Sequence, residues 1–322
     1  MESYPDRRDR KNTRSYAILG TGALGGYYGA CLQRTGLDVH FLFRSDYSHV
    51  VQHGLVIEST DGDFILPQVN AYKDVKDMPR CDVVAIALKT TQNHLLPQLL
   101  PPVLKEDGVV LVLQNGLGVE AAVAEIVGSH HVIGGMCFVC ANKVAPGRIR
   151  HLDYKAISLA ENTASDRAAG ITARMQQIAT DFTSAGIPID LSEDLLLARW
   201  QKLVWNIPYN GLSVVLDAQT DELMADGSTR ALVEDLMAEV VEGAATYDRH
   251  IPNSFVQNML DRTVKMKPYK TSMKIDYDLK RPLEVEAIFG NPLRAAQQAG
   301  ANLSQIRTLY QQLKFLDRKN QK

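Results

Sequence analysis

A short apolar segment near the start of the chain runs directly into a glycine-rich turn, and a stretch with helical periodicity follows. The segment covers residues 16–19, and the turn spaces its glycines as Gly-x-Gly-x-x-Gly. In a strand–turn–helix, such glycines allow a tight turn, a close approach of pyrophosphate to the backbone, and close packing of helix on strand. The free N–H groups of the helix N-terminus attract the anion. The turn is therefore a candidate dinucleotide site, comprising Gly20, Thr21, Gly22, Ala23, Leu24 and Gly25.

Further apolar segments continue an alternation of strands and helices. Residues 38–43 predict a second strand, and the apolar runs at 82–88 and 109–113 are typical of parallel strands covered on both faces. Residues 92–100 and 118–127 predict crossover helices between these strands and the next. This order predicts an α/β fold whose N-terminal domain is a Rossmann-type, doubly wound parallel sheet.

The second half of the chain changes in character. Residues 132–159 are strand-rich around a Pro146-Gly147 turn, and a short strand is expected at 187–190. Beyond that point the pattern is helical, and Ser192-Glu193-Asp194 is a good helix N-terminus. We expect a polar, disordered tail at 1–14, a Rossmann domain at 15–190 and a helical substrate and catalytic domain at 191–322. Helices are predicted at 165–185, 229–248, 254–266, 285–299 and 304–317.

Composition excludes several classes of function. Lys and Arg total 35 against 37 Asp and Glu, a net charge of −2, so a nucleic-acid partner is not expected. No apolar run approaches the roughly 18 residues of a membrane span, and the tail has no apolar signal region. With only 4 cysteines in 322 residues, the expectation is a cytoplasmic protein without a disulfide framework. Cys137 and Cys140 lie in an apolar run and are expected in the core, and no metal is predicted.

The end of the second strand bears on the choice of dinucleotide. An acidic residue there would accept hydrogen bonds from a ribose 2′-hydroxyl, whereas this strand ends Phe43-Arg44-Ser45. A guanidinium and a hydroxyl suit a 2′-phosphate, which favours NADP(H). Arg44 as a solvated surface charge is the alternative. Asp46 complicates the pattern, although it could instead cap the next helix.

Polar residues at the ends of two later strands are a second set of candidates. Lys89 follows the strand at 82–88, and Asn115 follows the strand at 109–113. Ligands in open α/β sheets bind at the carboxyl ends of strands, so both residues could take part. A solvent-facing cap and an ordinary Asn-Gly turn are the respective alternatives.

The first helix of the second domain carries the third set. Lys202 and Asn206 share a helical face, and Asn210 would extend it, although Pro208 is expected to bend or end the helix before Asn210. A lysine among apolar neighbours is expected to be partly desolvated and can serve as a proton donor. A lysine snorkelling from an amphipathic helix is the alternative. The apolar neighbours are Trp200, Leu203, Val204 and Trp205.

The chain carries a set of motifs along most of its length: Gly20-x-Gly22-x-x-Gly25, Leu88-Lys89, Gln114-Asn115-Gly116-Leu117-Gly118, Pro146-Gly147-x-Ile149, Trp200-x-Lys202-Leu203-x-x-Asn206-x-x-x-Asn210 and Ser272-Met273-x-x-Asp276…Leu283-Glu284-x-Glu286…Gly290. Taken in order, these motifs resemble the ketopantoate reductase family, from about residue 16 to beyond Gly290. The lysine–asparagine helix, combined with the late Ser-Met…Glu segment, is the part most specific to that family. The glycine turn is shared by many dehydrogenases.

The resemblance implies an NADPH-binding Rossmann domain and an all-helical C-terminal domain like that of 6-phosphogluconate dehydrogenase. It also implies NADPH-dependent reduction of the 2-oxo acid 2-dehydropantoate to (R)-pantoate, a step of pantothenate and coenzyme A biosynthesis. Two alternatives stay open: a reductase of another branched 2-oxo acid or ketone, and a catalytically silent NADP(H)-binding sensor. A homodimer is possible. Bulky residues at 205–209 and a Glu at 286, where the family often has Asp, depart from the family pattern.

Carried over by motif, the family's site residues have separate roles. Lys202 would be the general acid and Glu284 its partner. Arg44 would hold the 2′-phosphate. Lys89 would lie near the nicotinamide and substrate, and Asn115 would contact both ligands. The remaining substrate-binding candidates are Asn206, Asn210, Ser272 and the supporting residue Asp276.

Overall fold

The computed structural model describes residues 14–322, so most of the predicted tail lies outside the described residues. Arg14 is the first described residue. Its Nε donates to Asp181 Oδ2 at 2.7 Å and its Nη2 to Asp181 Oδ1 at 2.9 Å. An ion pair with a residue far along the chain therefore links Arg14, the last residue of the predicted tail, to α5.

Regular elements account for most of the described chain. Within residues 14–322 the strands are β1 (Ser15–Leu19), β2 (Asp38–Leu42), β3 (Leu55–Ser59), β4 (Phe64–Leu66), β5 (Asn70–Tyr72), β6 (Cys81–Ile86), β7 (Leu104–Val112), β8 (Val132–Ala145), β9 (Arg148–Glu161) and β10 (Ile189–Ser192). The α-helices are α1 (Ala23–Arg34), α2 (Tyr47–His53), α3 (Leu96–Leu99), α4 (Val119–Val127), α5 (Ala173–Ser184), α6 (Leu195–Val215), α7 (Thr220–Ala225), α8 (Gly227–Ala245), α9 (Asn253–Lys265), α10 (Ser272–Asp278), α11 (Asn291–Gln298) and α12 (Ser304–Asn320). Short 3₁₀ segments lie at Val75–Asp77, Thr90–Leu95 and Ser129–His131, and a π-helix at Glu286–Gly290.

The strands form one sheet in the order β4-β3-β9-β8-β7-β6-β1-β2-β5, with β10 added beside β9. From β8 to β5 every neighbouring pair is parallel, and this part follows the strand order of dinucleotide-binding sheets. The chain reverses its direction of travel across the sheet between β1 and β6, which is where ligands bind in such folds. The predicted Rossmann-type sheet is confirmed.

A long antiparallel hairpin extends the sheet beyond its parallel part. Strands β8 and β9 pair along most of their length, from Ile133 opposite Glu161 to Ala145 opposite Arg148. The Pro146-Gly147 turn joins them, as the sequence predicts. Strand β9 also pairs in parallel with β3 and β10.

Several predicted helices differ from those observed. The helix expected at 165–185 begins only at Ala173, because Thr172 caps it by accepting a hydrogen bond from Met175 N–H. The crossover expected at 92–100 is a 3₁₀ segment followed by the short α3. Pro208 lies inside α6, which continues to Val215, so of the two predicted effects, a bend or an end before Asn210, the end was wrong. The apolar residues around Pro208 are buried, and their packing compensates for the one helical hydrogen bond that proline removes.

The chain divides into two compact units. The first comprises the chain up to Gln114 together with Glu120–Leu195, and the second comprises Asn115–Val119 together with Leu196–Lys322. Each unit has its own apolar core. The first core is centred on α1, α5 and the sheet, and the second on α6, α8 and α12. Among the described residues, no helix is long and apolar enough to cross a membrane.

Candidate active site

The glycine turn in the first unit brings α1 close to two strand ends. Gly20 has a φ of +99°, and a Cβ there would lie 2.5 Å from the backbone nitrogen of Leu88. A Cβ at Gly25 would lie 2.4 Å from the carbonyl oxygen of Gly20 and 2.8 Å from the Cβ of Ala87. Any side chain at either position would push the turn away from the end of β6. Both glycines therefore serve the fold of the turn itself.

Gly22 is different, because nothing inside the protein requires a glycine there. Its φ of −88° suits any residue, and a Cβ would meet no atom within 4 Å. Gly22 occupies the N-cap of α1, and neither a capping side chain nor an acid in the first turn covers that helix end. The open space over a bare helix N-terminus fits the close approach of a pyrophosphate. The residues of this turn thus fit a dinucleotide.

The loop after β2 separates Arg44 from Asp46. Arg44 and Ser45 are exposed, whereas Asp46 is buried. Asp46 occupies the N-cap position of α2 but makes no side-chain cap hydrogen bond. Its carboxylate instead accepts from Lys143 Nζ at 2.8 and 2.9 Å, from Ser45 Oγ at 2.8 Å and from Gly147 N–H at 3.1 Å. Burial by itself raises the pKa of Asp46, but these hydrogen bonds outweigh it and hold that pKa below its usual value.

Lys89 lies at the carboxyl end of β6, in a turn that a buried glutamine holds in place. It occupies the N-cap position of the 3₁₀ segment Thr90–Leu95 and is half-buried. The amide of Gln114 donates from Nε2 to the carbonyl of Leu88 at 2.9 Å and to Asn93 Oδ1 at 2.7 Å. Sequence reasoning gave Gln114 no role. The available signal was a polar side chain ending the apolar strand β7.

In the second unit, the segment Asn115–Val119 packs among helical residues. Asn206 on α6 donates from Nδ2 to Asn115 Oδ1 at 3.2 Å. The N–H of Leu117 donates to the carbonyl of Ala287 at 2.9 Å, and Asn291 Nδ2 donates to the carbonyl of Leu117 at 2.7 Å. This segment is thereby fixed to both α6 and the residues around the π-helix.

Helix α6 buries a lysine together with two amides. Lys202 is 8% exposed, Asn206 2% and Asn210 1%, and their four-residue spacing places them on one helical face. The expectation that Lys202 is desolvated is confirmed. Its surroundings are not those of a lysine snorkelling into solvent.

Asn210 connects α6 to α10, which carries two further candidates. Its Oδ1 accepts from the N–H of Met273 at 3.4 Å, next to the half-buried Ser272 at the start of α10. Asp276 on the same helix is buried and pairs with Arg281 Nη2 at 2.8 Å. Ser272 therefore lies next to the point where α6 contacts α10, whereas Asp276 forms an ion pair with Arg281.

Glu284 and Glu286 differ sharply in environment. Glu284 is buried and lies just before the π-helix. The N–H of Ile288, in the first turn of that helix, donates to the Glu284 carbonyl at 3.2 Å. Glu286 is exposed and accepts from Tyr310 Oη at 2.8 Å and Arg294 Nη2 at 2.9 Å. Burial raises the pKa of Glu286, but these hydrogen bonds and that from Lys314 lower it overall. Of these two glutamates, Glu284 is therefore the one that lies in the interior of this unit.

The second unit thus gathers one buried lysine and two buried neutral amides on one face of α6. Within residues 14–322, no group of three or more His, Cys, Asp or Glu side chains could hold a metal ion. All four cysteines lie among the described residues and are buried without a disulfide bond, and the expectation that Cys137 and Cys140 belong to the core is confirmed.

Comparison with known proteins identifies the class to which this fold and these residues belong. The family described as "Ketopantoate reductase PanE/ApbA" matches residues 16–163, and its C-terminal counterpart matches residues 194–317. The chain belongs to the ketopantoate reductase family, whose members are NAD(P)-dependent oxidoreductases. It is an oxidoreductase that acts on CH–OH groups.

Individual relatives cover nearly the whole chain. The 2-dehydropantoate 2-reductase of Nostoc sp. (strain PCC 7120) is 69% identical over 309 residues, which are 96% of this chain and 97% of that protein. The crystal structure of 2-dehydropantoate 2-reductase from Geobacter metallireducens GS-15 is similar with a TM-score of 0.90 and 40% identity, covering 94% of this chain and 99% of that one. D-mandelate dehydrogenase, in its ternary structure with NADH and anilino(oxo)acetate, shares the fold with a TM-score of 0.85 and 20% identity, covering 95% of this chain and 99% of that one.

Proposed function

We propose that this chain reduces 2-dehydropantoate to (R)-pantoate with NADPH, the reaction that supplies pantothenate and coenzyme A biosynthesis. The observation that carries the proposal is the buried face of α6, where Lys202 lies in line with Asn206 and Asn210. One lysine beside neutral amides suits a substrate that is already anionic and gains further negative charge during reduction. The 69% identical relative named for this reaction supports the same substrate.

The cofactor half of the proposal rests on the first unit. The turn from Gly20 to Gly25 would hold the pyrophosphate, with Gly22 leaving the space for it. Arg44 is exposed at the end of β2, where its guanidinium would pair with a 2′-phosphate. Bound there, the nicotinamide cofactor supplies the hydride for the ketone carbon.

Lys202 would provide the proton. As the ketone carbon is reduced, negative charge builds on its oxygen, and a cationic lysine within hydrogen-bond reach stabilises that charge and then donates its proton. Apolar surroundings favour the neutral form of a lysine, so the charged form needs a carboxylate. We assign that role to Glu284, which is buried in the same unit.

The remaining polar residues would orient the substrate without adding charge. Asn115 and Asn206 already share a hydrogen bond, so each fixes the direction of the other's amide. Asn210 and Ser272 would contact the hydroxyl and carboxylate of the substrate. Asp276 would support Ser272 from the next turn of α10, and Lys89 would lie near the nicotinamide and the substrate.

The loss of NADPH absorbance with purified protein and 2-dehydropantoate tests the proposal, with NADH in a parallel reaction. The matched substrate is 2-oxoisovalerate, which lacks only the hydroxymethyl group, and benzoylformate represents aryl 2-oxo acids. We expect turnover to be fastest with 2-dehydropantoate and NADPH. Faster turnover of either other acid would transfer the assignment to a different 2-oxo acid reductase. NADPH binding without oxidation by any of the three acids would indicate a sensor.

A further inference from the structure

The loop that follows β2 carries an acidic residue that the cofactor assignment leaves unexplained. Asp46 lies two positions beyond Arg44, in the region where a carboxylate would favour a ribose hydroxyl and oppose a phosphate. Yet it is only 5% exposed, whereas Arg44 is exposed. A carboxylate next to a phosphate site would be unfavourable if it were free to face that site.

Among the described residues, Lys143 supplies the charged partner of this carboxylate. Its Nζ lies 2.8 Å from Oδ1 and 2.9 Å from Oδ2, so a single ammonium bridges both oxygens. Lys143 stands near the end of β8, 97 positions along the chain. The N–H of Gly147, in the β8–β9 turn, donates to Oδ2 as well. The hairpin therefore draws the carboxylate inward and neutralises it.

The same contacts order the residue between Arg44 and Asp46. Ser45 donates its hydroxyl to Asp46 Oδ1 at 2.8 Å, so the position of the carboxylate also sets that of the Ser45 side chain. Arg44 and Ser45 thus project from a loop whose anchor is the Asp46–Lys143 pair. Without the Lys143 ammonium, the Asp46 carboxylate would keep only two neutral donors, the Ser45 hydroxyl and the N–H of Gly147.

We propose that Lys143 is a specificity-determining positioning residue, which keeps Asp46 paired and turned inward so that the loop accepts a 2′-phosphate. The inference rests on the NADPH assignment above. Lys143 itself acts through Asp46 and needs no contact with the cofactor. Without Lys143, the freed carboxylate would repel the phosphate and offer an acceptor to a ribose 2′-hydroxyl.

Calorimetric titration with two adenosine nucleotides tests the proposed role of Lys143 through binding affinity, without any need for turnover. Adenosine 2′,5′-bisphosphate carries the 2′-phosphate, and 5′-AMP is the matched ligand without it. The variants are Lys143→Met, Lys143→Arg, Asp46→Asn and the double variant Lys143→Met/Asp46→Asn. Lys105→Met is the control, because Lys105 forms a comparable pair with Asp82 at 2.7 Å in the same unit.

We expect the preference for the bisphosphate over 5′-AMP to fall about tenfold in Lys143→Met, because one uncompensated charge near the phosphate is worth about that factor. Lys143→Arg, Asp46→Asn and Lys105→Met should keep the preference, and the double variant should regain it. Equal weakening of both nucleotides in Lys143→Met, or no recovery in the double variant, would overturn the inference. If the unmodified protein shows no preference for the bisphosphate, the NADPH assignment itself fails.

Discussion

Asn206 donates a hydrogen bond from Nδ2 to Oδ1 of Asn115 across 3.2 Å, although 91 positions of sequence separate the two residues. One comes from the middle of α6 and the other from the segment that follows β7. Because Asn115 belongs to the second unit by its contacts, both amides are held by the same core. Their mutual orientation is therefore built into that unit before any ligand binds.

The first prediction concerns this pair. Asn115→Ala and Asn206→Ala should each lower kcat/KM for 2-dehydropantoate. Expressed as free energies, the loss in the double variant should be smaller than the sum of the two single losses by about 0.5 kcal/mol or more, since each amide orients the other. Steady-state kinetics of the four proteins measures the coupling. Asn258→Ala, on the exposed face of α9, is the control and should be additive with Asn206→Ala. Strict additivity of the Asn115 and Asn206 losses would contradict the prediction.

Lys202 should be required for turnover and not for cofactor binding. Lys202→Met is expected to lower kcat by about 10²- to 10⁴-fold, the usual contribution of a positioned acid, while the Kd for NADPH stays within about threefold. Stopped-flow turnover and NADPH fluorescence titration separate the two effects. Lys265→Met removes an exposed lysine from the same unit and should change neither quantity. Turnover within a few-fold of the unmodified protein would remove Lys202 from the mechanism.

Arg44 should distinguish the two nicotinamide cofactors. Arg44→Asp is expected to raise the KM for NADPH by about tenfold or more relative to that for NADH, because a charge-assisted hydrogen bond to phosphate is replaced by repulsion. The exposed Arg167 in the same unit provides the control variant Arg167→Asp. Equal effects on both cofactors would show that Arg44 is a surface charge without a role in selection.

Gly22 and Gly25 should respond differently to the same added methyl group. At Gly25 the new Cβ would lie 2.4 Å from a backbone oxygen, so Gly25→Ala should cost about 1–3 kcal/mol and lower Tm by several degrees. At Gly22 the Cβ meets nothing within 4 Å, so Tm should stay within about 1 °C while NADPH binding weakens. Thermal unfolding and fluorescence titration of both variants test this contrast. A Gly22→Ala protein with normal NADPH affinity would place the pyrophosphate elsewhere.

Stability near Asp46 should depend on pH with a definite sign. The pKa of Asp46 in the folded protein lies below its ordinary value of 3.8, so its ion pair stabilises the protein above that value and ceases to do so as the pH falls through the folded pKa. Asp46→Asn should therefore lower stability by about 1 kcal/mol near neutral pH, because a partly exposed pair is worth about that much. The difference should shrink as the pH falls below about 4.

Thermal midpoints at neutral and acidic pH measure this difference. Asp235→Asn, on the exposed face of α8, is the control and should show no such change. A difference that persists unchanged at low pH would mean that the lost contacts are not those of a charged Asp46.

Local patterns in the sequence predict most of the fold. Strands β1, β2, β6 and β7 are predicted by short apolar runs in the sequence, and the glycine turn determines where α1 begins. The ends of helices were predicted less well where a capping side chain determines them. Thr172 starts α5 several residues after the periodic pattern begins, since its side chain accepts the hydrogen bond from Met175 N–H.

The catalytic and substrate-binding roles of the candidate residues stay predictions, but their environments could only come from tertiary packing. Periodicity places Lys202 and Asn206 on one face of a helix, and it leaves open whether that face is solvated or buried. Burial of both residues, and the path of α6 through Pro208, depend on the apolar side chains of other helices in the same unit.

By itself, the sequence determined the class of fold, the glycine turn and the family, because these depend on local periodicity and on residues at short fixed spacings. Only the tertiary structure decided that Asp46 turns inward to Lys143, and that Asn115 meets Asn206. The partners lie 97 and 91 positions apart, and their pairing depends on how strands and helices pack over the whole of each unit. Contacts between such distant residues leave no local pattern from which they could be predicted.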